Sequence, residues 1–106
     1  MSQNSQDVDV LSWLQQWYAS QANGEWEHVY GVEILTLDNP GWQIKIDLAN
    51  TDLGDIGFEK VKVERTENDW IHCSVDDNVF KGACGPENLT ELLDHFRTLV
   101  GSVKER

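Results

Sequence analysis

Residues 26–48 read WEHVYGVEILTLDNPGWQIKIDL, two alternating runs joined by Asp38-Asn39-Pro40-Gly41, and this stretch decides the fold. Pro40 presets the φ of the first central position of a tight turn and Gly41 tolerates the positive φ of the second, so a hairpin is expected. On the return strand Trp42, Ile44, Ile46 and Leu48 share a core face, while Gln43, Lys45 and Asp47 point the other way. The outgoing strand offers Tyr30, Val32, Ile34 and Thr36. The two apolar sets meet on one face if Thr36 lies opposite Trp42, or if the register is displaced by two residues. The first choice places Glu33 opposite Lys45, a pair worth about 0.2–1 kcal/mol, whereas the second sets Glu33 against Asp47 at a similar cost. The first register is therefore expected. Leu35 and Leu37 then emerge on the second face, which predicts partial cover there too.

Upstream of the hairpin, Val10, Leu11, Trp13, Leu14, Trp17, Tyr18 and Ala22 recur at spacings of three and four, which predicts a helix over Asp9 to Asn23 closed by Gly24. Asp7 or Asp9 can cap its start. Trp13, Trp17 and Tyr18 read as sheet-facing core. Downstream, Ala49 to Gly57 is rich in turn residues and lacks the ligand order of a calcium loop. Phe58 to Thr66, Trp70 to Asp76 and Val79 to Ala83 read as three further antiparallel strands, the last two joined at Asp77-Asn78. A two-residue turn there sets Cys73 opposite Gly82 and Ile71 opposite Cys84. The sulfurs are then diagonal, with Cβ atoms about 7–8 Å apart where a disulfide needs about 3.5–4.5 Å, so free thiols are expected. Pro86 suits the first position of a last helix whose stripe of Leu89, Leu92, Leu93, Phe96, Leu99 and Val100 ends at Gly101. The layout is an α+β domain: an antiparallel sheet of about five strands with N-terminal and C-terminal helices packed on it.

A chain of 106 residues with 40% apolar residues and five Trp can bury a core as one domain spanning residues 1–106, the polar residues 1–6 being loose. The net charge of −11 comes from acidic residues spread between Asp7 and Glu105. It disfavours nucleic acid and anionic lipid and favours a basic protein partner. No apolar run approaches the ~20 residues of a membrane helix, and no leader is visible, so a cytoplasmic protein is expected. Two cysteines in a reducing compartment fit that reading.

No Walker loop, nucleophile elbow, paired metal cysteines or HExxH motif occurs, and neither metal nor cofactor is expected. Glu27, His28 and Asp38 are the material for a small hydrolase, should they converge. More stands behind a binding surface, because acidic and aromatic residues coincide at Glu25, Trp26, Glu27 and His28, and again at Asp38 and Trp42, with Asp47 beyond. Carboxylates select a basic partner and aromatics anchor interfaces. The plainer alternative is that Trp26 and Trp42 cover the end of the core.

Most of the chain, from about Leu11 to Phe96, resembles the immunity protein 53 family of bacterial polymorphic-toxin systems. The resemblance rests on Trp26-Glu27-His28, Tyr30-Gly31, the run Thr36 to Trp42, Trp70-Ile71 and the segment GPENLTELLDHF. Ala22 stands where that family often has Cys, and Cys84 where it has Gly, which argues against an essential metal or disulfide at either place. The resemblance implies an antidote that binds a cognate toxin and blocks it, with no catalytic residues to carry over. The acidic balance points to a basic, nuclease-type toxin. An acidic adaptor for another basic protein is the alternative. A monomer is expected, or a weak homodimer should Val79 to Ala83 form an exposed edge.

Overall fold

The computed structural model describes residues 9–104. Residues 1–6 and Asp7, the alternative cap, lie outside the described residues. Helix α1 (Val10–Gln21) is followed by a four-residue turn of helix, α2 (Trp26–Val29). Then come strands β1 (Val32–Leu37), β2 (Gly41–Asp47), β3 (Val61–Thr66), β4 (Asp69–Asp76) and β5 (Val79–Cys84), and helix α3 (Leu89–Lys104). The strands form one antiparallel sheet in the order β1-β2-β5-β4-β3.

The hairpin register is the expected one: Thr36 pairs with Trp42 and Glu33 with Lys45. Its turn is not. Leu37 pairs with Gly41, leaving a three-residue loop of Asp38, Asn39 and Pro40, and Gly41 does not have a positive φ. Glycine is needed there for room, because a Cβ would collide with the Cys84 carbonyl oxygen of the neighbouring strand. At the β4–β5 turn Asp77 and Asn78 take φ of 56° and 62°, the left-handed pair that matches hairpin twist. Cys73 faces Gly82 and Ile71 faces Cys84 as expected. Both cysteines are free and buried, and burial pushes each thiol up to about 11.

The third strand starts at Val61 and not at Phe58, and the helix boundaries move for physical reasons. Asp9 caps α1, accepting a hydrogen bond from the Ser12 N–H at 2.7 Å, and that backbone N–H holds its carboxyl below the usual range. The helix ends at Gln21 with Ala22 extended, while Gly24 (φ 93°) serves the link into α2. Pro86 lies in a turn closed by Asn88 N–H donating to the Gly85 carbonyl at 3.2 Å. The last helix begins three residues after Pro86, at Leu89, and runs through Gly101 to Lys104.

One sheet face carries the core. Ile44, Ile46, Phe80 and Ile71 are at most 1% exposed beneath Leu92, Leu93 and Phe96 of α3. Gly82 lets α3 approach: a Cβ there would come within 2.7 Å of Leu92 Cδ1. Phe96 meets Phe80 at 5.2 Å and Trp17 at 4.9 Å between ring centroids, so α1 joins the core through α3. Tyr18, expected in the core, is 40% exposed because the α1 stripe is broader than the surface α3 offers it.

The other face has no helix on it among the described residues. Leu35, expected to be partly covered there, is 53% exposed. Strand β5 is central, so the expected exposed edge at Val79 to Ala83 does not exist; the edges are β1 and β3. The spacing of apolar residues defines a strand's faces and says nothing of its neighbours, which is why the edge was misplaced.

Candidate functional site

The side chains singled out by composition divide between the two ends of β2. With about 3.4 Å per residue, its seven residues separate Asp47 from Gly41 by about 20 Å. Asp38 and Trp42 belong to the Gly41 end, and Glu25, Trp26, Glu27, His28 and Asp47 to the other. A catalytic group of Glu27, His28 and Asp38 is therefore not assembled.

Around α2 the sequence builds a corner. Asn23 Oδ1 accepts from the N–H groups of Glu25 and Trp26, both at 3.0 Å. Glu27 folds back so that its oxygens accept from Asn23 N–H at 2.9 Å and Gly24 N–H at 2.8 Å. Its own backbone N–H, then those of Asn23 and Gly24, hold this carboxyl below the ordinary glutamate value of 4.5. Trp26 is 3% exposed, donates through Nε1 to the Ala49 carbonyl at 3.1 Å, and meets Trp17 and Tyr18 edge-on at 6.0 and 5.9 Å. Asp47 accepts from the Gly31 N–H at 2.9 Å, tying the corner to the sheet. Trp26, Glu27 and Asp47 thus build the corner. Glu25 and His28 are exposed on it, as are Tyr18 and Val29, the latter 74% exposed. Val29 was missed by sequence reasoning, because alternation in the hairpin assigned only Tyr30 onward and the extra helical turn was invisible.

At the far end Trp42 is half-buried, donating through Nε1 to the Pro86 carbonyl at 3.0 Å, and Asp38 is exposed. Across the sheet on β3, Arg65 binds Asp69 at 2.9 Å and Glu91 at 2.7 Å. Asn88, which is buried, donates to Asp69 at 2.9 Å and accepts from Trp70 N–H at 3.3 Å. The Arg65 guanidinium, then Asn88, draws the Asp69 carboxyl down, and the two carboxylates raise Arg65. These groups staple the β3–β4 turn to α3.

Sequence reasoning also missed the open sheet face. Lys45, Lys60, Lys62 and Lys81 line one depression of about 470 Å³ with Ser74 and Ala83. The lysines come from three separate stretches, and only the strand order brings them together. Among the described residues no three His, Cys, Asp or Glu side chains gather as metal ligands would, and no helix is long and apolar enough to cross a membrane.

No curated protein and no solved structure gives a match. A family model does, over residues 11–101, and its description is immunity protein 53. That span contains the α2 corner, the whole sheet and nearly all of α3. The chain belongs to the immunity protein 53 family, whose members bind a cognate toxin.

Proposed function

We propose that this protein is a cytoplasmic antidote of a bacterial polymorphic-toxin system, inhibiting its toxin by stoichiometric binding without catalysis of its own. In this reading the partner is a basic, nuclease-type toxin, and acidic side chains occupy the ground on which nucleic-acid phosphates would lie. The observation that supports it is the α2 corner, where exposed Glu25 and His28 flank exposed Val29 and Tyr18 around a rigidly held Trp26. Apolar contact within a charged rim is the make-up of protein interfaces, and a specific one buries about 800 Å² per partner. A net charge of −11 speeds encounter with a basic partner and repels nucleic acid and anionic lipid.

The test is co-expression with the toxin domain encoded beside this chain, scored by survival and then by co-purification. Survival with a stable complex is expected. Glu25→Lys should slow association several-fold and flatten its salt dependence, because its carboxylate holds up no part of the corner. Binding of a basic protein without protection would instead mark an adaptor, and death without a complex would remove the antidote reading.

A further inference from the structure

An acidic protein has gathered half of its cations onto one surface. Of eight Lys and Arg residues, four (Lys45, Lys60, Lys62 and Lys81) stand on the open sheet face. The β2–β5 register sets Lys45 directly against Lys81. Like charges facing across a ladder are unfavourable, so the sheet bears a cost there that an anion would relieve. Among the described residues Lys45, Lys60 and Lys62 have no ion pair, and Lys81 has only a loose one, 3.6 Å from Asp76. Ser74 and Ala83, small residues on the central strands, floor the depression between the longer side chains. The result is a trough with cationic walls and a shallow floor of small side chains.

Its rim has the opposite sign. Glu33 lies opposite Lys45 in the β1–β2 register, and Glu64 holds His72 at 2.9 Å on the β3 side. A continuous polyanion crossing the trough would meet both carboxylates. A short extended segment fits between them: its side chains on one face repeat every two residues, about 6.8 Å, the two-residue step from Lys60 to Lys62, while Lys45 and Lys81 face each other on the neighbouring strands.

We infer that the uncovered sheet face is a docking surface for a short, extended, acidic segment of the toxin. The assignment of that segment to the toxin rests on the proposed function; the chemistry of the trough does not. The surface then runs acid, base, acid across the molecule. Its complement is a basic toxin with an acidic segment set within the basic ground, a pattern that fixes orientation and rejects partners that are merely basic.

The probe is hexaglutamate with blocked termini, titrated into the intact chain and followed through amide NMR shifts. Saturable shifts confined to the trough are expected, and Lys45→Gln with Lys62→Gln should weaken them about tenfold, in keeping with two exposed ion pairs. No saturation, shifts spread over the rest of the surface, or indifference to the double substitution would overturn the inference. So would tighter binding of single-stranded oligothymidylate to the same amides. In a second arm Lys45→Glu with Lys62→Glu is offered the toxin domain. Weakened binding supports the toxin as source, and undiminished binding overturns it. If the unsubstituted chain does not bind the toxin, the antidote reading and the assigned source fall, while the peptide titration still decides the trough.

Discussion

Ile44 and Ile46 are at most 1% exposed, while Lys45 between them stands in solvent. The same contrast holds on the neighbouring strand, where Phe80 and Gly82 are buried and Lys81 is exposed. One face of the sheet is closed by α3 and, through it, by α1. The other is left open and is lined by lysines. Burial of large apolar side chains stabilises by about 1.5–3 kcal/mol each, so the closed face supplies the stability. The open face is thereby released from any packing requirement, and its residues can be chosen for recognition.

The hardest way to break that comparison is to hollow out the closed face. Phe96 is fully buried and touches rings from α1 and β5. Phe96→Ala should cost about 3–5 kcal/mol, read as a fall in the urea midpoint at unchanged slope. A loss below about 1 kcal/mol would mean that α1 and α3 are not bound to the sheet through this residue.

Gly82→Ala tests how closely α3 is drawn in. The added methyl points at Leu92 Cδ1, 2.7 Å from the new carbon, in a place where neither side chain can swing into solvent. Overpacking of this kind costs about 1–3 kcal/mol. Gly82 pairs with Ile44 and Cys73 on the closed face, so the loss reports directly on the packing of α3 against that face.

These two residues also mark how far the sequence could be read. Phe96 was legible as core from the stripe on α3, and the register of β1 on β2 was legible because Glu33 and Lys45 made one pairing favourable and the other costly. Asp77-Asn78 was legible because few residues accept two consecutive left-handed conformations. Gly82 was not, since the need for a glycine there arises from a helix crossing above it. Gly41 was misread for a related reason: a glycine after proline suggests a turn, and its actual cause is the Cys84 carbonyl on a strand distant in sequence. Of the candidate site, Glu25 and His28 stand at the surface. Trp26, Glu27 and Asp47 are used in building the corner, because their partners at Ala49, Asn23 and Gly31 are backbone groups that composition cannot reveal. The lysine trough needed the strand order, which alternation does not encode.

A smaller effect, and one with a sign, lies at the corner that joins α2 to the sheet. The Glu27 carboxyl is held below its ordinary value of 4.5 by backbone N–H groups, its own first. A lowered folded value stabilises the protein above the unfolded value, and that contribution is lost as pH falls through the folded value. The urea midpoint of Glu27→Gln should therefore lie below that of the unsubstituted chain at pH 7. The gap should close on acidification below the ordinary glutamate range. A gap independent of pH would mean that the amide fails for want of shape, not charge.

The smallest expected change in stability belongs to the open face, and it sharpens the comparison most. Lys45 has Glu33 opposite on one side and Lys81 opposite on the other. Lys45→Gln removes one favourable and one unfavourable cross-strand pair, each about 0.2–1 kcal/mol, so the net should fall within about 0.5 kcal/mol of zero. Lys81→Gln removes the same repulsion together with an exposed contact to Asp76 that is worth about 0–1 kcal/mol, and should be similarly quiet. Urea midpoints at low and high salt measure both, since screening suppresses the two pair terms together. A loss above about 1 kcal/mol would show that the lysines support the sheet, and the division between a stabilising face and a recognising face would fail. A quiet result frees the lysines from any structural duty, as the proposed docking of an acidic segment on that face requires.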